Sequence, residues 1–397
     1  MNTTPQNTPF KQTEIGPIPQ DWEVKKLGET VDFLDGKRKP IKDSERAKMR
    51  GQYPYYGASG IIDYVNAYLF DEDLILLGED GENILSRSVR LAFRISGKVW
   101  VNNHAHVLKP KNEFDIGYLT EILESINYEQ YNTGTAQPKL NQKVCSQILI
   151  PFPPTKAEQT AIATALSDAD ALIGSLEKLI HKKRLLKQAT MQHLLTPKED
   201  WEVKKLGEVC EITSSKRIFE DDYVTVGIPF YRGKEISLLN ENKRLDDEFF
   251  ISEEKYEEIK RMFGVPVKDD ILITAVGTLG NVYLIPNNNK FYFKDGNLIW
   301  LKNIKNINPN YLSIQISWVK NEIINNAIGS SQKALTIVVL KKQLIPLPTN
   351  KAEQIRIVNI LSDMDAELSG LEGKLEKYRQ LKQGMMQQLL TGKIRLV

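Results

Sequence analysis

The sequence predicts an α+β fold in which two pseudosymmetric globular domains are separated by two long antiparallel coiled-coil helices. Three observations lead to this prediction. The nine-residue string DWEVKKLGE begins at Asp21 and returns unchanged at Asp200, so one chain carries the same unit twice. Each copy continues with short apolar runs bounded by Gly, Asn, Asp and Pro. Each copy then ends in a long segment with heptad-like apolar spacing.

Other strings recur in the same order. Lys156-Ala157-Glu158-Gln159 returns at 351–354, and Leu166-Ser167-Asp168 returns at 361–363. The sequence between these anchors has diverged, as expected when a scaffold is kept while a reading surface changes. The repeats divide the chain into an N-terminal segment at 1–20, a globular domain at 21–150, a long helix at 151–197, a second globular domain at 198–346 and a second long helix at 347–397.

Strands are predicted in both globular regions from apolar runs flanked by turn residues. The runs lie at 73–77, 98–101, 270–274 and 297–301. Helices are expected near 115–128 and near 308–328. Each globular region is therefore expected to be α+β.

The two long helices are predicted from apolar seams. One seam runs from Ile162 to Ile180 and the other from Ile357 to Leu389, in steps of three and four residues. A proline-rich stop precedes each helix, and Thr155 or Thr349 marks the N-cap region. A helix of about 40 residues spans about 60 Å, so two matching seams most simply form one antiparallel pair that acts as a spacer. The alternative is that each helix packs only on its own domain.

Composition excludes several classes of protein. The chain has 397 residues, 41% hydrophobic residues and a net charge of +2, so bulk charge does not indicate nucleic-acid binding. The cysteines Cys145 and Cys210 occupy non-equivalent places in the two copies, which argues against a disulfide framework and against a thiolate metal site. Because no apolar run fits a membrane helix or a signal peptide, no membrane partner and a cytoplasmic location are expected.

The common catalytic motifs are not matched. Gly277-Thr278-Leu279-Gly280 lacks the lysine and the spacing of a phosphate loop and is predicted to be a turn between strands. Pro151-Phe152-Pro153-Pro154 is not the Asn/Asp-Pro-Pro-aromatic signature of base methylation. His104 and His106 have the spacing of two metal ligands, but no third ligand is evident, and a polar or base-contacting role for His104 is favoured. No catalytic residue and no metal ligand are therefore predicted.

Polar, basic and aromatic side chains in loops are the best binding candidates. Arg, Lys, Asn and Gln hydrogen-bond base edges, while Ser, Thr and Lys hold phosphates. In the first copy the candidates are Lys37, Arg38, Lys39, Tyr56, Ser59, Arg87, Ser88, Arg90, Asn102, Asn103, His104, Gln137 and Lys139. In the second copy they are Lys216, Arg217, Tyr231, Arg232, Lys234, Thr278, Asn281, Lys294, Asn297, Ser331, Gln332 and Lys333.

In this order, these parts resemble the DNA specificity subunit of type I restriction-modification systems. The resemblance rests on Ile18-Pro19-Gln20-Asp21-Trp22 with Leu27-Gly28, on Tyr55-Tyr56-Gly57-Ala58-Ser59-Gly60-Ile61, and on Ile150-Pro151 before Lys156-Ala157-Glu158-Gln159. The second copy repeats the scheme from 197 to 207 and again from 345 to 354. It departs at 230–235, where Phe-Tyr-Arg-Gly-Lys-Glu stands in place of the Tyr-Tyr-Gly-Ala-Ser-Gly string.

The resemblance implies that each globular region is a target-recognition domain that reads one half of a bipartite, asymmetric double-stranded DNA target. It implies that the helices fix the spacer and dock two methyltransferase (modification) subunits, and that motor/endonuclease (restriction) subunits complete the complex. The chain itself is then not an enzyme and binds no cofactor, because S-adenosyl-methionine, ATP and Mg belong to the partner subunits. The alternatives are the equivalent recognition subunit of another restriction class, or a coiled-coil adaptor that binds only proteins.

Overall fold

The structure is a computed structural model that describes residues 9–241, 243–245, 248–325, 327 and 334–396. The chain forms two compact units. Unit 1 comprises Met1–Leu179 together with Leu371–Val397, and unit 2 comprises Ile180–Gly370. Each long helix therefore contributes one part of its length to each unit. None of the helices in the described part of the chain combines the length and the apolar character needed to cross a membrane.

The first globular domain is built from short strands and short helices. Its strands are β1 Phe10–Thr13, β2 Gly16–Pro19, β3 Glu23–Lys26, β4 Val31–Phe33, β5 Arg50–Gly57, β6 Gly60–Val65, β7 Phe70–Asp71, β8 Leu74–Gly78, β9 Ala92–Ile95, β10 Lys98–Val101, β11 Ala105–Pro110 and β12 Leu149–Phe152. Its helices are α1 Leu27–Thr30, α2 Asp43–Arg46, α3 Asn83–Ser86, α4 Ile116–Ser125 and α5 Gln142–Cys145, and the long helix α6 Lys156–Leu195 follows. The predicted strands at 73–77 and 98–101 and the predicted helix near 115–128 are confirmed.

Two four-stranded sheets form the body of this domain, within residues 9–179. Their strand orders are β6-β5-β10-β7 and β4-β11-β8-β9. Strands β5 and β10 are parallel, with Tyr56 opposite Val101, so both strands end at the same edge. Three residues separate the end of β10 from the start of β11, and Ala105 pairs with Gly78 at the end of β8. The loops that follow β5, β8 and β10 therefore meet at one place.

A single apolar core joins the first domain to its helices. Trp22, Leu27 and Tyr118 have no exposed surface, and they belong to one cluster with Leu166 of α6 and Leu389 near the C-terminus. Each fully buried side chain of this size stabilises the fold by about 1.5–3 kcal/mol. The domain is thus packed onto the long helices rather than linked to them by a flexible hinge.

The second domain repeats this plan. Its strands are β13 Trp201–Lys205, β14 Glu211–Thr213, β15 Tyr223–Val224, β16 Ile228–Tyr231, β17 Phe249–Ile251, β18 Ile271–Thr274, β19 Val282–Leu284, β20 Tyr292–Phe293, β21 Leu298–Lys302 and β22 Leu344–Pro348. Its helices are α7 Leu206–Val209, α8 Gly233–Asn240, α9 Glu253–Phe263, α10 Pro309–Trp318, α11 Lys320–Asn325 and α12 Ile337–Lys342, and α13 Lys351–Leu389 follows. The strands predicted at 270–274 and 297–301 and the turn predicted at Gly277–Gly280 are confirmed. The helix predicted near 308–328 is divided into α10 and α11, and residue 328 lies outside the described residues.

The strand ladders reveal which residues of the two domains correspond. The sheet β14-β21-β18-β19 has the same order of strands as β4-β11-β8-β9. Leu108 lies opposite Phe33 in the first domain, and Leu301 lies opposite Ile212 in the second. The duplication inferred from the sequence therefore extends to the register of the strands.

The repeated DWEVKKLGE string forms the entry into each domain. It covers β3 with α1 in the first copy and β13 with α7 in the second. Its last residue explains part of the conservation between the copies, because Glu29 accepts the Lys26 N–H at 3.0 Å and Glu208 accepts the Lys205 N–H at 3.1 Å. A Cβ on Gly28 would lie 3.2 Å from the Ser146 carbonyl oxygen, so the glycine permits a close backbone approach.

The long helices pair in opposite directions. In unit 1, the α13 residues Lys382 and Arg379 bind the α6 residues Asp170 and Glu177, each at 2.6 Å. In unit 2, Lys183 of α6 binds Glu367 of α13 at 2.6 Å. Within unit 1 the residue number falls on α13 as it rises on α6, so the predicted antiparallel pair is confirmed and the alternative of two separate surface helices is wrong.

The two long helices begin with different caps. Thr155 accepts the Glu158 N–H at 3.2 Å, as the sequence predicts. At the second helix, Asn350 rather than Thr349 accepts the Ala352 N–H, at 2.8 Å.

Candidate nucleic-acid interface

In the first domain, the loops after β5, β8 and β10 line an open cleft of about 350 Å³. Two backbone hydrogen bonds hold these loops together. The Asn102 N–H donates to the Tyr56 carbonyl at 3.0 Å, and the Glu79 N–H donates to the His104 carbonyl at 2.9 Å. Ser59, Asn102 and His104, three of the sequence candidates, line this cleft together with Asp80.

The candidates in this cleft differ in exposure. Ser59, Asn103 and His104 are exposed, and the His104 Nδ1 lies 2.9 Å from an Asp80 carboxylate oxygen. Asn102 is buried, and its side-chain oxygen accepts the His104 N–H at 2.8 Å. Asn102 therefore shapes the loop that presents Asn103 and His104.

A partly buried charge network lies beneath the cleft. The Arg38 guanidinium donates to a Glu79 carboxylate oxygen at 2.6 Å and to the Ala105 carbonyl at 2.7 Å. The His106 Nδ1 lies 2.6 Å from Asp35, and its Nε2 lies 2.9 Å from the Leu140 carbonyl. Both ring nitrogens thus face acceptors, as a protonated imidazole requires.

The protonation of His106 follows from these contacts. Burial alone would lower the pKa of His106, but hydrogen bonds to Asp35 and to the Cys145 sulfur raise the pKa to about 10. Burial alone would raise the pKa of Asp35, and the His106 hydrogen bond instead holds that pKa below its usual value. The ligand atoms of Asp35, Glu79 and His106 lie within 4.8 Å of one another. Because Arg38 and His106 neutralise the two carboxylates, this cluster is an internal ion-pair network rather than an open set of metal ligands.

Five further candidates lie near this cleft. Lys37 and Lys39 are exposed, and the Lys39 N–H donates to the Val101 carbonyl at 3.3 Å, immediately before Asn102. Gln137 and Lys139 are exposed in the loop that ends at Lys139, whose Nζ lies 3.4 Å from Glu79. Tyr56 is half-buried, and its ring centroid is 6.1 Å from that of Phe93.

Three candidates of the first domain do not line this cleft, and all three lie in the fully described range 9–179. They are Arg87, Ser88 and Arg90. Arg87 donates to the Glu124 carbonyl at 2.6 Å and pairs with the Glu124 carboxylate at 2.9 Å. The Ser88 hydroxyl donates to Asn83 at 3.2 Å. Arg90 binds carboxylates on α4 and α6. The structure thus gives both arginines intramolecular partners.

In the second domain, the start of α8 and the loop after β18 line a cleft of about 620 Å³. Arg232, Lys234, Thr278 and Asn297 are the sequence candidates in its wall. Lys234 and Thr278 are exposed. Arg232 is half-buried, and its guanidinium pairs with the Glu235 carboxylate at 2.7 Å and stacks 4.3 Å from the Phe249 ring centroid.

The second cleft uses the same backbone scaffold as the first. The Lys294 N–H donates to the Tyr231 carbonyl at 2.9 Å, in the way that Asn102 donates to Tyr56. The Ala275 N–H donates to the Asn297 carbonyl at 2.8 Å, in the way that Glu79 donates to His104. His104 and Asn297 therefore occupy equivalent positions, and the side chains differ where the backbone does not.

The remaining candidates of the second domain surround this cleft or lie apart from it. Asn281 accepts from Lys320 at 2.6 Å and donates to Ser237 at 3.0 Å. Arg217 is exposed and pairs with Asp295 at 2.9 Å. The Lys216 Nζ lies 4.7 Å from the Phe263 ring centroid. The candidates Ser331, Gln332 and Lys333 lie outside the described residues.

Three residues of this network were not predicted from the sequence. They are Asp35 and Glu79, which pair with Arg38, and His106, which is buried beside Asp35. A signal was present in the repeat. Counted along the paired strands, Ser214, Ala275 and Ile299 stand in the second domain where Asp35, Glu79 and His106 stand in the first. Three charged or ionisable residues that are replaced together indicate that they interact.

Comparison with known protein families matches this chain in two segments. A family model described as the type I restriction modification DNA specificity domain matches residues 19–185 and 198–380. A Haemophilus influenzae protein named for the type I restriction enzyme specificity subunits is 33% identical over 354 residues, which cover 86% of this chain and 87% of that protein. The MjaVIII type I restriction enzyme specificity subunit of Methanocaldococcus jannaschii is 27% identical, covering 98% of this chain and 96% of that protein.

Solved structures share the fold. The type I restriction-modification S subunit from M. genitalium superposes with a TM-score of 0.62 at 18% identity, covering 93% of this chain and 96% of that chain. At this identity the likeness concerns the fold alone. Because the family model covers most of the sequence in two matches, the chain belongs to the type I restriction-modification specificity subunits and carries the DNA specificity domain twice.

Proposed function

We propose that the two clefts read the two halves of a bipartite, asymmetric DNA target. The observation that carries this proposal is the shared backbone scaffold with divergent side chains. His104 and Asn297 hold equivalent places, and each is anchored through its carbonyl oxygen by the same type of backbone hydrogen bond. Asparagine and histidine present different donors and acceptors to base edges, so the two half-sites should differ in sequence.

The residues around the clefts divide by role in this proposal. Lys37, Lys39 and Lys234 are exposed and suited to phosphate contacts, while Asn103, His104 and Thr278 are placed to meet bases. The Arg38 network beneath the first cleft holds its loops in position before DNA binds. Preformed loops lose less conformational entropy on binding, which favours affinity.

The paired long helices fix the distance between half-sites and dock two methyltransferase subunits in this proposal. Apolar side chains on α6 and α13 support docking, because Leu185, Leu186 and Leu381 are more than half exposed. Exposed leucines on a helix are typical of surfaces that another protein covers. Catalysis, and the binding of S-adenosyl-methionine, ATP and Mg, would then belong to the methyltransferase and the motor/endonuclease subunits, with the whole complex in the cytoplasm.

The proposal is tested by co-expressing the chain with its cognate methyltransferase subunits and mapping methyladenine by long-read sequencing. The expected result is one motif with two different half-sites separated by a spacer of fixed length. Methylation of a continuous palindrome would contradict it. A stable complex that methylates no site and does not bind DNA would favour a protein-only adaptor instead.

A further inference from the structure

Arg90 connects the first recognition domain to a long helix. It lies in the segment between α3 and β9, and one of its guanidinium nitrogens donates to Asp170 of α6 at 2.8 Å. The other terminal nitrogen binds the Glu121 carboxylate on α4. The backbone around it is held as well, because the Glu124 carboxylate accepts the N–H groups of Leu91 and Ala92 at 2.9 and 3.0 Å.

Lys382 of α13 completes this contact from the other side. Its Nζ lies 2.6 Å from both carboxylate oxygens of Asp170 and 3.7 Å from Glu121. The Lys382 and Glu121 side chains are 14% and 9% exposed, whereas those of Arg90 and Asp170 are 37% and 36% exposed. A partly buried network of this kind is screened by salt less than an exposed ion pair. We call these four residues, Arg90, Glu121, Asp170 and Lys382, the tether.

The second domain keeps only the helix-to-helix half of the tether among its described residues. Lys187 pairs with Asp365 there, as Lys382 pairs with Asp170. By strand register, Gly280 stands in the place of Arg90, since the Gly78 N–H donates to the Leu91 carbonyl and the Thr274 N–H to the Asn281 carbonyl.

The place of Glu121 is also changed. Tyr118 and Tyr311 are equivalent, because their hydroxyls donate to the Pro151 and Pro346 carbonyls. Counting three residues onward along each helix places Ile314 where Glu121 stands. The tether is therefore a property of the first domain and not of the repeated scaffold.

The first domain already packs on both long helices through the apolar core that contains Leu166 and Leu389, and the tether adds a charged attachment further along α6. The attachment that both domains share is at Gln159, which accepts the Asp115 N–H at 2.8 Å, and at Gln354, which accepts the Asn308 N–H at 2.9 Å. Asp170 is about 16 Å further along α6 than Gln159, at 1.5 Å per residue. In the first domain, the tether extends the attachment beyond this packed core and so opposes rocking of the domain on the helices.

We propose that Arg90 is a positioning residue that fixes the tilt of the first domain on the helix pair and so holds its half-site at one spacer length. This inference rests on the proposed function. It reassigns Arg90 from the DNA-binding candidates, because the guanidinium is already held by two carboxylates. Removing the tether should broaden the accepted spacer and leave the bases of both half-sites unchanged.

The test maps methyladenine for the wild-type complex and for complexes with Arg90→Gln or Asp170→Asn. Wild type should methylate one spacer length. Each variant should raise methylation at spacers one base pair longer or shorter by about tenfold. Asp170→Asn distinguishes the two possible roles of Arg90. The Asp170 carboxylate cannot attract DNA phosphate, so an effect of this variant on the spacer would come from the tether and not from a lost phosphate contact. Thermal unfolding of each complex verifies that the chain is folded.

Two controls isolate the tether. Arg46→Ala removes another arginine of the first domain, which binds Asp63 within the domain at 2.9 Å, and should keep the wild-type spacer. Lys187→Ala removes the equivalent helix pair in unit 2, where Gly280 stands in the place of Arg90, and should also keep the wild-type spacer.

Three results would overturn the inference. If both tether variants keep the single wild-type spacer, the tether does not set the spacer length. A changed base in one half-site for Arg90→Gln would make Arg90 a base-reading residue. Loss of methylation at every spacer by Arg90→Gln alone, in a folded complex, would make Arg90 a phosphate contact. Failure of the proposed function is distinct from these, because the wild-type complex would then yield no bipartite motif.

Discussion

The side-chain oxygen of Gln159 accepts the backbone N–H of Asp115 at 2.8 Å, which attaches the first domain to the start of α6. The Gln159 amide nitrogen also donates to the Pro153 carbonyl at 3.4 Å. Gln354 makes the same two contacts in the second unit, at 2.9 Å to Asn308 and 3.0 Å to Pro348. These contacts explain why Lys-Ala-Glu-Gln is one of the strings that both copies retain.

The preceding glutamate has an equally specific role. Glu158 is 2% exposed and binds Arg395 near the C-terminus, and Arg395 also binds Asp21 with two hydrogen bonds of 2.9 Å. In unit 2, the Glu353 carboxylate lies 2.5 Å from Lys198. The repeated strings thus mark attachment points of the scaffold, and the reading surface lies in the residues that differ.

We expect Gln159→Ala to destabilise unit 1 by about 1–3 kcal/mol. The reason is that it leaves the Asp115 N–H and the Pro153 carbonyl without their partner. Hydrogen exchange measured on peptides from α4 should reveal faster exchange in unit 1 and no change in peptides from unit 2. Gln354→Ala is the matched variant and should have the reverse pattern. Equal effects of both variants on both units would contradict this assignment.

We expect the His106 network to make the stability of unit 1 dependent on pH. The pKa of His106 is raised from about 6.5 to about 10, so its contribution is fully present below pH 6.5 and is lost as the pH rises through 10. Asp35 has a lowered pKa, so its contribution is present above its ordinary value and is lost in acid.

The measurement compares thermal unfolding of the wild type and of the double variant Asp35→Ser/His106→Ile from pH 6 to pH 10.5. The advantage of the wild type should shrink toward the alkaline end. A constant difference across this range would show that His106 is not protonated in the fold.

The same double variant tests whether Asp35 and His106 stabilise the fold through a direct interaction. His106→Ile alone leaves the Asp35 carboxylate buried with one partner fewer, and should destabilise unit 1 by about 3 kcal/mol. The double variant introduces the pair found at Ser214 and Ile299, and keeps the Arg38–Glu79 ion pair of 2.6 Å. We therefore expect it to be more stable than the single variant. Additive losses would contradict a direct interaction between Asp35 and His106.

We expect Lys37→Ala/Lys39→Ala to weaken DNA binding by a similar factor for all sequences. If both lysines contact phosphates, the slope of log affinity against log salt should fall by about two. Lys109→Ala is the matched control, because Lys109 lies toward the opposite end of β11 from the cleft and pairs with Glu72 at 2.5 Å. A changed sequence preference with an unchanged salt slope would assign the two lysines to base reading instead.

Much of the fold could be predicted from periodicity. The apolar run at 73–77 forms β8, and the helices with apolar seams form an antiparallel pair. In both cases the spacing of apolar residues determines which face of the element is buried. The division of the second helical region between α10 and α11 at Val319 was not predicted, since its apolar residues continue through the break.

The sequence indicated most of the loops that form the candidate site, but it did not indicate which side chains of those loops are free to bind DNA. Most of the loops that line the two clefts were singled out from the sequence, but the loop after β8, which contributes Asp80 to the first cleft, was not. The sequence grouped Arg90 with the binding candidates, because its partners Glu121 and Asp170 are 31 and 80 residues away in sequence and cannot be recognised from it. Residue type alone does not distinguish an arginine that faces phosphate from one that faces carboxylate. Only the folded arrangement supplies the partner.

The most direct test of the central claim uses the two equivalent positions. Methyladenine mapping should be carried out for His104→Ala and Asn297→Ala, each in complex with the cognate methyltransferase subunits. His104→Ala should relax or change one half-site only, and Asn297→Ala should affect only the other. Variants that alter the same half-site, or that leave both half-sites at wild-type specificity, would contradict it.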